Sequence, residues 1–208
     1  PTPTELISLT AFYKLIKNPI SRIEVASAGG YLSYENIADK ATVAGVEVEV
    51  RKNLFVRPLS SAANGMNKLS FGLNGSYIYT NAKMPLATVT TGSQLEGAAP
   101  WIANFDLSHN FTKGNHSFIN TLVLNYVSDK IYTIGTQGYQ DIMEQGMMTL
   151  DFVSQAKLNK YVSLTLKARN LLNPSYKLSR KANESGEKVV LSDYKKGINI
   201  SLGVSCTF

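Results

Sequence analysis

Most of the signatures of common enzyme chemistry are missing from this 208-residue sequence. Its single cysteine, Cys206, removes internal disulfides, thiolate zinc clusters and paired redox chemistry together, and reads as a small apolar filler. Only two histidines occur, His109 and His116, on either side of Lys113-Gly114-Asn115. No carboxylate or thiol is spaced to complete a metal site with them, so solvent-facing histidines are expected. A GxxxxGK phosphate loop, a GxSxG elbow and an HExxH helix are all absent. No catalytic, cofactor-binding or metal-binding residue is therefore assigned, and the chain is not read as an enzyme.

Also missing is any run of roughly 20 apolar residues, which excludes a membrane-spanning helix. The formal net charge of +6 is dispersed, its densest groups being pairs such as Arg51-Lys52, Arg180-Lys181 and Lys195-Lys196. That is no nucleic-acid footprint, so nucleic acid is not an expected partner. The first residues, Pro1-Thr2-Pro3-Thr4, show neither the charged start nor the apolar stretch of a secretory signal, so an exported protein containing this chain is expected to extend upstream.

What is present is a period of two. Ile198, Ile200, Leu202, Val204, Cys206 and Phe208 alternate without a break with Asn199, Ser201, Gly203, Ser205 and Thr207. The pattern recurs in Leu69-Phe71-Leu73-Gly75-Tyr77-Tyr79, in Trp101-Ala103-Phe105-Leu107 and in Val162-Leu164-Leu166, each set against polar neighbours. Val46, Val48 and Val50 likewise alternate with Glu47, Glu49 and Arg51. From Phe118 to Tyr126 the facing is ambiguous, because Asn120 falls with Leu122 and Leu124. An overall hydrophobic share of 44% is ordinary for a water-soluble protein, yet it is also what a transmembrane barrel shows, since lipid-facing and lumen-facing residues cancel in any average.

Eight strands are predicted, at 6–16, 42–53, 67–81, 99–112, 116–130, 148–158, 161–171 and 194–208. Most are long enough to cross a bilayer at a tilt, which takes about 9 to 11 residues. Connections 113–115 and 159–160 are tight, whereas 17–41, 82–98, 131–147 and 172–193 are long, the layout of short periplasmic turns and long outer loops. Connection 54–66, with Pro58 and Gly65, reads as an enlarged turn on the short side. Tyr77, Tyr79, Trp101, Tyr126, Tyr132, Tyr161, Tyr194 and Phe208 are candidates for interfacial aromatic girdles. Glu47, Glu49 and Arg51 form a candidate lumen-facing polar row: carboxylates two apart on a strand are how a barrel lines its water-filled interior, a better account than acid–base chemistry.

Five segments carry a resemblance. They are Leu9-Thr10-Ala11-Phe12-Tyr13-Lys14 with Asn18-Pro19-Ile20; Gly45-Val46-Glu47-Val48-Glu49; Ala99-Pro100-Trp101-Ile102-Ala103-Asn104; Ala168-Arg169-Asn170-Leu171-Leu172-Asn173-Pro174-Ser175-Tyr176; and Tyr194-Lys195-Lys196-Gly197 leading to Phe208. In this order and spacing the chain resembles the C-terminal portion of TonB-dependent outer-membrane receptors, particularly of the Bacteroidetes type. The resemblance implies an all-β, antiparallel transmembrane barrel of about 22 strands, of which residues 1–208 would supply the C-terminal part of about eight. The plug domain and the N-terminal barrel strands would then lie outside this chain.

It further implies the wall of an active nutrient transporter in the bacterial outer membrane. Its partners would be the plug and N-terminal strands of the same receptor, the TonB complex through the N-terminal region outside this chain, and outer-membrane lipid. Phe208 would be the terminal aromatic read by the barrel-assembly machinery, and a capping surface lipoprotein is a further candidate. Two competing readings remain on the residues alone. One is a small self-standing barrel acting as an adhesin or structural anchor, since about eight strands can close. The other is a soluble β-sandwich binding module.

Overall fold

A computed structural model describes residues 5–25, 30–59, 65–82, 94–136, 138–182 and 186–207, and among them every regular element is a strand. Eight strands build one antiparallel sheet: β1 (Leu6–Lys17), β4 (Lys40–Leu59), β5 (Gly65–Ala82), β6 (Trp101–Lys113), β7 (His116–Val127), β10 (Met147–Lys157), β11 (Val162–Arg169) and β14 (Asn199–Cys206), paired in that order. All eight predicted strands are there. Among the described residues β1 and β14 pair only inward, so the sheet is an open wall.

Residues directly opposite in register share a face, and this sorts the wall cleanly. One row runs Ile7, Val50, Leu73, Phe105, Leu124 and Leu150. The row two residues towards the short turns continues through Phe71, Leu107, Leu122, Phe152, Ala168 and Ile200. This apolar face has no second layer over it: Ile7, Leu9, Ile200 and Leu202 are 68–75% exposed. An uncovered apolar surface spanning eight strands is far beyond what a water-soluble protein tolerates.

The apolar band is also oblique. On β1 it occupies Ile7 to Leu15, on and above the first row, counting the long-loop end as up; on β14 it occupies Ile200 to Cys206, below that row. The descent is about eight residues, roughly 26 Å at 3.3 Å per residue, across steps of about 4.8 Å, a tilt of about 38°, within the range that barrel closure demands. Tyr13, Tyr79, Tyr77, Trp101 and Tyr126 follow the band's upper margin down, with the Tyr77 and Trp101 rings 4.6 Å apart.

Four expectations need correction. The turn expected at 54–66 is mostly strand, because a bulge between Asn53 and Phe55 shifts the alternation by one residue and β4 continues through Pro58. The last strand begins at Asn199, not at Tyr194, which belongs to a different sheet. Tyr132 and Tyr194 lie in the loop layer rather than in a girdle. His109 is half-buried on the apolar face, where its Nε2 lies 2.8 Å from Asn67 Oδ1; on that face too, Ser154 Oγ donates to Asn120 at 2.7 Å. These side chains satisfy one another near the short-turn margin, and the ambiguous Asn120 thus shares the face of Leu122 and Leu124.

The long connections are not coil. Residues 17–41 carry the hairpin β2 (Ile20–Glu24) and β3 (Leu32–Asn36). Residues 131–147 carry β9 (Ile142–Glu144) and all but the first residue of β8 (Lys130–Thr133). Residues 172–193 carry β12 (Ser175–Lys181) and most of β13 (Lys188–Lys195). The last four strands form a sheet in the order β13-β12-β9-β8, and a parallel bridge between Ile23 and Ile134 joins it to β2. The chain's buried apolar cluster lies here: Ile23, Ile37, Ala38, Ile131 and Ile134 pack on Ala41 and Ala82, with Ile16 against them. Ile16, Ala41 and Ala82 are register neighbours on the wall's polar face, so the loop layer folds over that side.

Candidate functional site: the polar face and the loop layer above it

On β4, Val46, Val48 and Val50 turn to the apolar face, which places Glu47, Glu49 and Arg51 together on the other. Arg51 Nε lies 2.7 Å from Glu49 Oε1, while Glu47 stands opposite Thr10 and Ser76. From Glu49 a polar row crosses the wall through Asn74, Asn104, Asn125 and Thr149. Asn104 Nδ2 donates to Asn74 Oδ1 at 3.5 Å, and Asn125 Nδ2 to Thr149 Oγ1 at 3.3 Å. Glycine makes room twice on this face. A Cβ at Gly72 would collide with the Asp106 carboxylate lying across it, and one at Gly45 with the ring of Phe12. The result is an amide and carboxylate lining; among the described residues nothing resembles a metal cluster.

Above it, ion pairs tie the loops together. Arg180 pairs with Glu24, both side chains only 15% exposed, linking β12 to β2. Arg22 donates to Glu96 from its side chain at 3.0 Å and from its backbone N–H at 2.6 Å, and its guanidinium sits 4.1 Å from the Tyr132 ring centroid. Burial by itself lowers the Arg22 pKa, but the hydrogen bond to Glu96 and the charges of Glu96, Tyr132 and Tyr34 outweigh it, leaving it raised. Lys130 Nζ is 3.2 Å from Glu144 Oε1, and Tyr176 Oη donates to Glu144 Oε2 at 3.2 Å. Burial first, then the Glu144 carboxylate, pushes the Tyr176 phenol up to about 12. These contacts position loops; none assembles a nucleophile with a base.

Where β10, β11 and β14 meet the loop sheet, a recess of about 380 Å³ opens on the polar side. Wall residues Thr149, Asp151, Arg169 and Asn199 line it from below, and Tyr176 and Lys196 from above. Asn170, at φ 58, forms the corner: its N–H donates to Asp151 Oδ1 at 2.8 Å and its Nδ2 to the Gly197 carbonyl at 2.7 Å. Gly197, at φ 84, where a side chain would be strained, in turn donates its N–H to Asn173 Oδ1 at 3.0 Å.

The structure brings the predicted Glu49 and Arg51 into contact and places Glu47 beside them on one face. Phe208 lies outside the described residues. Sequence reading gave no site role to Arg22, Glu24, Arg180 or Tyr176. The signal available was short alternation inside the loops, as in Ile20-Ser21-Arg22-Ile23-Glu24 and Tyr176-Lys177-Leu178-Ser179-Arg180.

The family model for TonB dependent receptor-like β-barrels matches residues 2–171, and the chain belongs to that family. No curated protein and no solved structure matches it. The family comprises outer-membrane transporter and receptor barrels rather than enzymes, and a full receptor contains a plug domain and engages TonB. The wall therefore lies in the outer membrane.

Proposed function

We propose that this chain is the C-terminal part of the barrel wall of an active nutrient transporter, of the Bacteroidetes type that its motifs resemble. Ligand enters past the loop layer and descends along the polar face when the plug is displaced. The observation that carries this reading is the position of the loop layer, folded over the lumen side with its buried cluster seated on Ile16, Ala41 and Ala82. A wall that only anchored something would have no use for an ordered, inward-leaning rim. In this reading Glu47, Glu49 and Arg51 face the plug and its water, and Phe208 is the terminal aromatic presented to the barrel-assembly machinery. The open edges of β1 and β14 support a barrel larger than these eight strands and disfavour a self-standing anchor.

Growth on limiting single nutrients tests the reading, comparing a strain lacking the receptor with one lacking TonB function. Loss of the same nutrient in both strains is expected. A receptor-deleted strain that keeps every nutrient but loses surface attachment would establish the adhesin reading instead.

A further inference from the structure

We propose that the recess between β10, β11, β14 and the loop sheet is a subsite for an anionic, hydroxyl-bearing group about the size of a sugar acid; this rests on the transport reading above. Asp151 and Arg169 face each other across β10 and β11, one step beyond the Phe152–Ala168 pair, on the lumen face. They nevertheless make no ion pair: the carboxylate is turned to the backbone N–H of Asn170 at 2.8 Å. Arg169 is exposed, and among the described residues no acidic side chain pairs with it. Lys196 lies on the opposite lip with the Tyr176 ring as its neighbour, 5.4 Å from its centroid, and among the described residues no acidic side chain pairs with it either.

Arg169 and Lys196 against the single Asp151 carboxylate leave a net positive charge around a recess of about 380 Å³. Arg169 supplies the planar fork that grips a carboxylate or phosphate at two points, and Lys196 a movable point charge. Thr149 and Asn199 supply hydrogen-bonding groups suited to hydroxyls. The Tyr176 and Tyr194 rings, 5.0 Å apart, give the upper lip an aromatic face. The site is also fixed in advance, because Asn170 holds Gly197 and Asn173 holds it from the other side.

Phenylglyoxal modification of arginine, read residue by residue by mass spectrometry on the purified full receptor at constant ionic strength, tests this. Galacturonate is the probe and galactose its neutral control. Galacturonate at about ten times its Kd is expected to slow modification of Arg169 about tenfold. Galactose should leave the rate unchanged, and Arg51, paired with Glu49, should respond to neither. Lys196→Gln should raise the galacturonate concentration needed. Equal protection by both sugars, or protection by neither, would overturn the proposal. So would an Arg169 that is unreactive before any probe is added, since another part of the receptor would then fill the recess. The wall reading is checked separately with a water-soluble maleimide on Ser201→Cys and Leu202→Cys in a Cys206→Ser background. A reactive Ser201→Cys beside a shielded Leu202→Cys keeps that reading intact even if Arg169 is not protected.

Discussion

Removing one partner of the Glu24–Arg180 pair is expected to loosen the whole loop layer without unfolding the wall. Both side chains are 15% exposed, and the pair joins β2 to β12, two connections far apart in sequence. Arg180→Met keeps the aliphatic bulk but strands the Glu24 carboxylate away from bulk water. A hydrogen bond to a charged group is worth about 1.5–3 kcal/mol, and orphaning a fully buried ion costs about 3–5 kcal/mol. With residual exposure, about 2–3 kcal/mol is expected here, or roughly a 30- to 150-fold rise in local opening. Amide hydrogen exchange of the receptor in detergent reads this directly. The reporters are the Glu24 N–H, bonded to the Ile134 carbonyl at 3.1 Å, and the Ile134 N–H, bonded to the Arg22 carbonyl at 3.0 Å. Both should exchange faster in Arg180→Met, while amides in the β5–β6 ladder should not change. Glu24→Gln combined with Arg180→Met removes both charges and should recover most of the protection. Unchanged exchange in the single variant, or a double variant worse than it, would refute the reasoning.

Three further outcomes are expected. Gly45→Ala should lower the yield of heat-modifiable folded receptor, because its Cβ meets the Phe12 ring and the Tyr77 carbonyl, an overpacking cost of about 1–3 kcal/mol; wild-type yield would contradict this. Ultraviolet titration should find Tyr176 ionising near a pKa of about 12, and Glu144→Gln should lower that value. Because the folded pKa is raised, the contribution of Tyr176 to stability is complete below the unfolded value of about 10 and is lost as pH climbs through about 12. Trypsin added to intact cells should cut after Lys181 or Lys188, beside the β12–β13 hairpin tip, and spare both Lys160 in the opposite turn and the ion-paired Arg180; cleavage at Lys160 in sealed cells would invert the topology.

The wall was legible because each strand writes its two faces into every second residue, as from Ile198 to Cys206, and needs no knowledge of its neighbours. Where a bulge slips that period, at Asn53 and Phe55, the reading lost the strand and supplied a turn. The loop layer was opaque for a different reason. Its strands run from three to eight residues, too short for most to show a period, and its organising contacts, Ile23 with Ile134 and Glu24 with Arg180, join segments more than a hundred residues apart. Glu49 and Arg51 could be read from their spacing; the recess could not, because Arg169 stands out only once Asp151 is seen turned to Asn170.

In this reading one face of the sheet meets lipid and the other water. Nitroxide labels placed singly from Val46 to Arg51 on β4, and at Ile200, Ser201, Leu202 and Ser205 on β14, measure that directly by collision with oxygen against a water-soluble nickel chelate in reconstituted bilayers. Oxygen should dominate at Val46, Val48, Val50, Ile200 and Leu202, and the chelate at Glu47, Glu49, Arg51, Ser201 and Ser205, in strict alternation. Equal accessibility on both faces, or oxygen dominance on the glutamate side, would contradict it.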